Sequence, residues 1–308
     1  MSAPAAMAAT PLALVTRRFL RHRLALVSAG VLAMLAAASL LAPAVEGWLG
    51  IDANAVDLFN RLARPSAAHP LGTDEAGRDV LLRLLYGGRV SLFVGIAAAL
   101  TAAVLGTTVG LLSGYFGGRL DALFMRVTDG VIALPLLPLL IVLAAIDLQK
   151  LGFSAETAQA ESMSLYRIVV IVALVGWTTV ARLVRATALS LRERPFVLAA
   201  RAQGASSFRI MTVHILPNLA SPIIVATTLS VGNVILLESV LSFLGLGIQP
   251  PLPSWGNLLT NAQELIWDAP ALAVYPGLAI FVTVIAFNFV GDGLQDALDP
   301  RSLERGKR

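Results

Sequence analysis

The sequence predicts an all-α membrane protein of about six transmembrane helices, on three observations. Hydrophobic residues make up 57% of the 308 and charged residues only 14%, for a mean hydropathy of +0.79. Several separate apolar stretches meet or approach the roughly 20 residues that cross a ~30 Å hydrocarbon layer. Lys and Arg gather in the short segments between those stretches, where they set orientation and meet anionic lipid. The first observation excludes a soluble enzyme, because one soluble core could not hide so much apolar surface. The third removes a nucleic-acid reading of the net charge of +4 and pI near 9.9, which would need the basic residues to neutralise phosphates. No cysteine is present, so disulfides, thiolate ligands and cysteine nucleophiles are excluded. The three histidines, His22, His69 and His214, are widely spaced, and no metal site is expected.

The first span, 24–42, follows Arg17, Arg18, Arg21 and Arg23. It exceeds the ~7–15 apolar residues of a signal peptide and is read as an uncleaved helix that ends at Pro43. The segment 43–89 carries Glu46, Asp52, Asp57, Arg61 and Arg64 and belongs outside the hydrocarbon. Within it, Thr73 or Asp74 is placed to N-cap a short amphipathic helix over 78–86. That helix sets Val80, Leu81, Leu84 and Leu85 opposite Arg78, Asp79 and Arg83 and should lie on the membrane surface. The second span covers 90–113, where Gly95, Gly106 and Gly110 permit close helix approach, and the turn from Gly114 to Gly118 ends it. A polar connection through Arg119 and Asp121 leads to the third span, 129–146, which Pro135 and Pro138 should kink, as a structural bend or as a gating hinge. After a polar loop over 147–164 comes the fourth span, 165–184, whose Arg182 and Arg185 mark a water-facing end. The fifth span, 219–241, and the sixth, 271–290, flank a proline-rich loop over 245–270. Glu238 falls near the outer end of the fifth, about 6 Å from it at 1.5 Å per residue, and is expected to face water or a partner. No carboxylate is placed as a mid-membrane proton relay.

On this six-span plan one side of the membrane holds sixteen Lys and Arg and the other seven, so both termini and the segment 185–217 are expected to be cytoplasmic. That segment reads as two short helices: Ala199 and Ala200 give the first a surface that can lie close to another, Gly204 permits a tight turn, Ser206 or Ser207 caps the second, and Pro217 stops it. A surface of that design suits docking a partner. The chain divides accordingly into an amino tail (1–23), a first helix (24–42), an extracytoplasmic loop (43–89), a five-helix core (90–293) and a carboxyl tail (294–308).

The spacing Ala199-Ala200, Gly204, Leu216-Pro217 resembles the EAA loop of ABC importer permeases, with Leu198 where that family carries Glu. Two further stretches are similar to permeases of the dipeptide, oligopeptide and nickel class: His69-Pro70-Leu71-Gly72-Thr73-Asp74 through Gly77-Arg78-Asp79, and Glu238 through Gly245, Gly247 and Pro250 to Trp255-Gly256. The resemblance covers nearly everything from His69 to Asp299. It implies the type I ABC importer permease fold with a cytoplasmic coupling-helix loop. It also implies that Ala199, Ala200, Arg201, Gly204, Ala205, Ser206, His214, Leu216 and Pro217 form the ATPase-coupling segment. Further implications are a second permease subunit, two cytoplasmic ATP-binding subunits, an extracytoplasmic solute-binding protein, and a multi-pass location in the bacterial inner membrane. The substrate class implied is peptides or a related small solute such as nickel or glutathione. No Gly-x4-Gly-Lys-Ser/Thr phosphate loop occurs in the chain, so ATP and Mg are expected on the partner ATPases, with no cofactor and no catalytic residue here. The rivals are an ion-gradient-driven secondary transporter, which would show matched broken spans in two halves, and a non-transport membrane scaffold.

Overall fold

The computed structural model describes residues 11–299, and the outermost residues of both expected tails, 1–10 and 300–308, lie outside the described residues. The described residues form helices joined by loops, with one isolated bridge between Thr73 and Asp79. In chain order the helices are α1 (Pro11–Phe19), α2 (Arg23–Leu40), α3 (Ala42–Leu49), α4 (Val80–Phe116), α5 (Gly118–Ala133), α6 (Leu136–Ala144), α7 (Ala155–Gln159), α8 (Glu161–Leu191), α9 (Pro195–Ala202), α10 (Ser207–Arg209), α11 (Leu216–Phe243), α12 (Ala262–Leu265) and α13 (Ala271–Leu298). A π-helical turn, Ile210–Ile215, joins α10 to α11. Five helices are long and apolar enough to cross a membrane, or six if α5 and α6 count as one broken span.

Several local expectations need correction. The first span ends at Leu40, two residues before the expected boundary, and Pro43 sits in the first turn of the separate helix α3, where its missing N–H has no intrahelical partner to lose. No separate surface helix exists over 78–86. Those residues run from the N-cap Asp79 into α4, a single helix of 37 residues, and the N-cap is neither Thr73 nor Asp74. Gly117 closes α4 with φ +67, and α5 starts at once at Gly118, so Arg119 and Asp121 lie in its first turn instead of in a connection. Pro135 does break the third apolar segment, by 90°. Leu134, the residue before it, is held at ψ 140, as the proline ring demands of its predecessor. Pro138 falls in the first turn of α6 and bends nothing. Pro217 does not stop a helix either: it sits in the first turn of α11, and the chain from Ser207 to Phe243 passes as one helix of 37 residues. The wider π-helical turn lies where the Pro217 ring would press on the carbonyl four residues back.

Packing follows small residues. Gly106, Gly110 and Gly114 recur every fourth position of α4 and lie against α8, where a Cβ would come within 2.5 Å of the Trp177 carbonyl, 2.4 Å of the Ala181 carbonyl and 2.7 Å of the Ala188 Cβ. With no hydrophobic drive between helices in lipid, such backbone-close contact is what holds two of them together. Gly232 and Gly291 bring α11 and α13 together antiparallel, against Val284 and Leu229, and Gly293 of α13 touches Ala25 of α2. The Arg18 guanidinium donates to the Ala297 carbonyl at 3.3 Å. The start of α2 and the end of α13 therefore share one end of the bundle with α9 and the start of α11. The loops over 50–79 and 244–270 share the other.

Two buried clusters fill the bundle. One lies between α4, α8 and α11 toward the loop end and includes Val94, Ile168, Ile235, Leu241 and Trp255. The other seals the opposite end around Tyr115, Val184, Val197, Ile210 and Ile215.

Candidate functional site

At the end that carries α9, the chain builds a small exposed platform on the second cluster. Val197 and Ala200 face inward and are buried, while Phe196, Leu198, Ala199 and Arg201 face out. Helix α9 ends in a Schellman motif: Gly204 N–H donates to the Arg201 carbonyl and Ala205 N–H to the Ala200 carbonyl, both at 3.0 Å. Gly204 holds φ +81, which only glycine adopts without strain. Ser206 caps α10, its hydroxyl accepting from Arg209 N–H at 3.3 Å. The Arg201 guanidinium lies 5.7 Å from the centre of the Tyr115 ring, and the Tyr115 hydroxyl donates to Ser207 at 3.4 Å. His214 contributes its carbonyl, which accepts from the Asn218 amide at 2.7 Å. Leu216 and Pro217 begin α11. The segment thus brings Ala199, Ala200, Arg201, Gly204, Ala205 and Ser206 into one turn-and-helix unit, and leaves His214, Leu216 and Pro217 on the neighbouring helix.

Phe208 and Val213 lie within the segment itself and face outward. Tyr115 was not legible as part of this unit, because it arrives from α4. The α5–α8 pairing was not legible either. Asp121 accepts from Arg185 Nε at 2.5 Å and from Arg185 Nη2 at 2.6 Å, a two-pronged bond that fixes both groups in a plane, and the Ser113 hydroxyl also donates to Asp121.

A Cβ at Gly204 would meet nothing within 4 Å, so steric bulk inside this chain is not what the position forbids. The cost of Gly204→Ala is conformational, about 1–2 kcal/mol for a β-carbon in the left-handed region, and Gly204→Asn should cost less because a short amide side chain tolerates that region. Thermal unfolding of the two purified variants checks the order.

The loop end is built as a hydrogen-bonded knot. Thr73 accepts from Ala63 N–H at 2.8 Å and donates to the Asn60 carbonyl. The buried Asp74 carboxylate accepts from Ala76 N–H at 2.8 Å, Arg78 N–H at 2.9 Å and Arg78 Nε at 2.7 Å. It also lies 3.5 Å from Arg83 Nε. Arg83 is therefore buried, and does not face water as the helical pattern suggests. Gly77, at φ +76, passes so close to Asp57 that a Cβ would fall 1.7 Å from its carbonyl oxygen. Asp57 itself has its carboxyl held below the ordinary carboxylate range by the Asn60 side-chain amide, then by Phe59 N–H. Asp79 caps α4 by accepting from Leu82 N–H at 2.8 Å, and its other oxygen lies 3.0 Å from His69 Nδ1. Asp79→Ala removes both contacts and should cost at least about 1 kcal/mol, the usual value of an N-cap; faster proteolysis of the 50–79 loop in the purified protein would register it.

The second signature stretch locks onto α4 from the other side. Glu238, expected to face water or a partner, is instead 0% exposed. Its carboxylate accepts from Ser91 at 3.1 Å and Ser242 at 2.7 Å. Ser91 in turn accepts from Trp255 N–H at 3.1 Å, and the Trp255 indole donates to the Leu84 carbonyl at 3.0 Å. Gly247 and Gly256 have no room for a side chain: a Cβ would lie 2.1 Å from the Ser242 hydroxyl and 2.6 Å from the Ser239 Cα respectively. Gly245 turns the chain at φ +76, and the Pro250–Pro251 peptide is cis. These residues position a cap and carry no arrangement for bond-making chemistry. Among the described residues no group of three His, Asp or Glu is disposed to hold a metal.

Between the two ends, α5, α6, α8 and α11 border a groove of about 450 Å³ whose polar members are Thr178, Thr179, Ser230 and Asn233. An apolar groove of about 750 Å³ lies between α4 and α11.

Comparison with known proteins supplies the family. Residues 106–304 match the model of the binding-protein-dependent transport system inner membrane component. Residues 10–55 match the N-terminal TM domain of oligopeptide transport permease C. The chain is 44% identical over 242 residues to the dipeptide transport system permease protein DppC of Alkalihalophilus pseudofirmus, covering 79% of this chain and 75% of that one. It is 40% identical over 286 residues to the glutathione transport system permease protein GsiD of Pectobacterium atrosepticum, covering 92% and 89%. Against a putative peptide permease of Brucella suis the figures are 39% over 294 residues, 95% and 92%. The methionine ABC transporter MetNI, solved in inward-facing conformations, shares the fold with a TM-score of 0.54 at 18% identity, over 70% of this chain and 96% of that one. The gradient-driven carrier and the scaffold are thereby set aside: the chain belongs to the family of binding-protein-dependent transport system inner membrane components, and is a multi-pass permease subunit of an ABC importer.

Proposed function

We propose that this permease moves short peptides into the cytoplasm of a bacterium. It pairs with a second, similar permease, takes its substrate from an extracytoplasmic solute-binding protein, and is driven by two ATPases that hold the ATP and Mg. The platform of α9 and α10 is the coupling segment, the end that bears it is cytoplasmic together with both termini, and the capped end faces outward. One observation carries this reading: the platform exposes Phe196, Leu198, Phe208 and Val213 to the outside while its inner face is packed into the cluster that joins α4, α8 and α11. Apolar side chains held out at the polar end of a bundle mark a protein contact, and a rigid attachment to three spans lets that contact act on the bundle. The peptide class is supported by the relatives named for dipeptide, glutathione and peptide transport, glutathione being itself a small peptide.

The test is to extract the tagged chain gently from its host membrane and identify what comes with it by mass spectrometry. Recovery of a second multi-span permease and of ATPases with phosphate loops, and ATP-dependent uptake of a labelled dipeptide by the reconstituted assembly, are the expected results. Recovery of the chain alone, with peptide uptake indifferent to ATP, would overturn the proposal.

A further inference from the structure

Toward the platform the outward stripe of α8 differs in kind from that of α4. On α4 Phe93, Ile96, Leu100 and Val104 make an exposed apolar row, of which Leu100 and Val104 border the groove against α11. On α8 the outer half exposes Tyr166, Val170 and Leu174, whereas from Gly176 toward the platform the exposed residues are Gly176, Thr179, Arg182, Ala186 and Ser190, with no large apolar side chain. Thr179 is one of the few polar residues, with Ser230 and Asn233 of α11, that border the otherwise apolar groove between α8 and α11. Arg182 stands one turn closer to the coupling end. It donates one hydrogen bond, at 2.5 Å, to Asp129 of α5, and the two side chains remain 50% and 57% exposed. The neighbouring Arg185–Asp121 pair is different: it is bidentate, and its members are 32% and 16% exposed. One pair locks α5 to α8, whereas the other is singly bonded and half open, so that either member can change partner without moving a helix. The pair stands beside the groove: Thr179 and Ile132, which border it, are one helical turn from Arg182 and Asp129 respectively.

We infer that Arg182 and Asp129 stand at the inner mouth of the solute path and read the charged ends of the passing solute, Arg182 taking a carboxylate and Asp129 an ammonium. The path thereby favours zwitterionic solutes such as short peptides. This rests on the transport reading above, and the experiment separates the two.

Because the chain contains no cysteine, Thr179→Cys gives it a single thiol about 5–6 Å from the pair, one helical turn away. In the assembled complex the thiol is treated with a cationic aminoethyl and an anionic sulfonatoethyl methanethiosulfonate, and the residual thiol is read on this chain by gel shift with a polymer maleimide. Both reagents should react with it, and neither with Phe93→Cys on the apolar row, a position that borders neither groove. Adding Arg182→Gln should raise the cationic-to-anionic rate ratio at least threefold, and Asp129→Asn should lower it as much, since a unit charge at that distance in water changes the local concentration of each ion about threefold. An unreactive Thr179→Cys, or a ratio that neither substitution moves, overturns the inference. The doubly neutral D129N/R182Q variant, assembled in normal yield, should take up a labelled dipeptide at least tenfold more slowly; unchanged uptake also overturns it. If the unsubstituted complex moves no peptide, the transport reading fails instead, and the reagent ratios still decide whether the pair faces the path.

Discussion

Gly110→Leu should leave almost no folded chain in the membrane. Overpacking a core costs typically 1–3 kcal/mol when side chains can shift. Here the obstruction is main chain: a Cβ at Gly110 lies 2.4 Å from the Ala181 carbonyl oxygen and 3.0 Å from the Arg185 nitrogen. The two longest contact partners in the bundle must move apart to admit the side chain, and the close contacts at Gly106 and Gly114 are lost with them. The total should exceed about 4 kcal/mol, the range reserved for the most damaging single substitutions. Detergent-extracted variant should run as aggregate on size-exclusion chromatography, with tryptic resistance lost across α4 and α8. Gly277→Leu is the control, since a Cβ there meets nothing within 4 Å; it should fold normally. A well-folded Gly110→Leu would mean that α4 and α8 are held by something other than backbone proximity.

The second large effect should fall on assembly alone. Leu198→Asp and Phe208→Asp together place two charges on the exposed face of the proposed coupling platform, where Phe208 is 72% exposed. Neither side chain supports the buried cluster, so insertion and melting of the isolated chain should stay within about 0.5 kcal/mol of the parent, as for surface substitutions generally. If these residues fill pockets on the ATPases, each loss is that of an interface anchor, about 2 kcal/mol or more. Together they would weaken the complex roughly a thousandfold. Pull-down should then recover the second permease without ATPase, and ATP-dependent uptake should stop. ATPase recovered at normal stoichiometry would place the docking surface elsewhere.

The spans were legible because a crossing helix must be apolar over its whole length, a property of single segments. Gly106 and Gly110 of the α4 row were legible for the same reason, their spacing being local, whereas Gly114, read as the start of a turn, lies inside the helix against α8. What escaped the sequence was set by pairings between distant residues. Arg78, Asp79 and Arg83 look like the polar side of a surface helix until Asp74, folded back by Gly77, buries Arg83 against itself. Glu238 looks like an end-of-span carboxylate until Ser91, far away in sequence, supplies a buried hydroxyl at 3.1 Å. Pro217 reads as a stop because the rule for proline assumes α-helical register, and the π-helical turn at Ile210–Ile215 relaxes that register just before it. Within the coupling segment the turn was readable from Gly204 and Ser206. The cushion beneath it was not, since Tyr115 and Val184 arrive from other helices.

Helix α4 runs without a proline from Asp79 to Gly117, a length of about 55 Å at 1.5 Å per residue. Its first turn is clamped in the loop knot through Asp79, and its last turn, through Tyr115, lies beneath the platform of α9 and α10. If the ATPases dock on that platform, as proposed, a push or tilt delivered there travels along one unbroken helix to the loop knot, with no chemical signal in between. On that proposal the docking platform and the loop knot are the two ends of one lever.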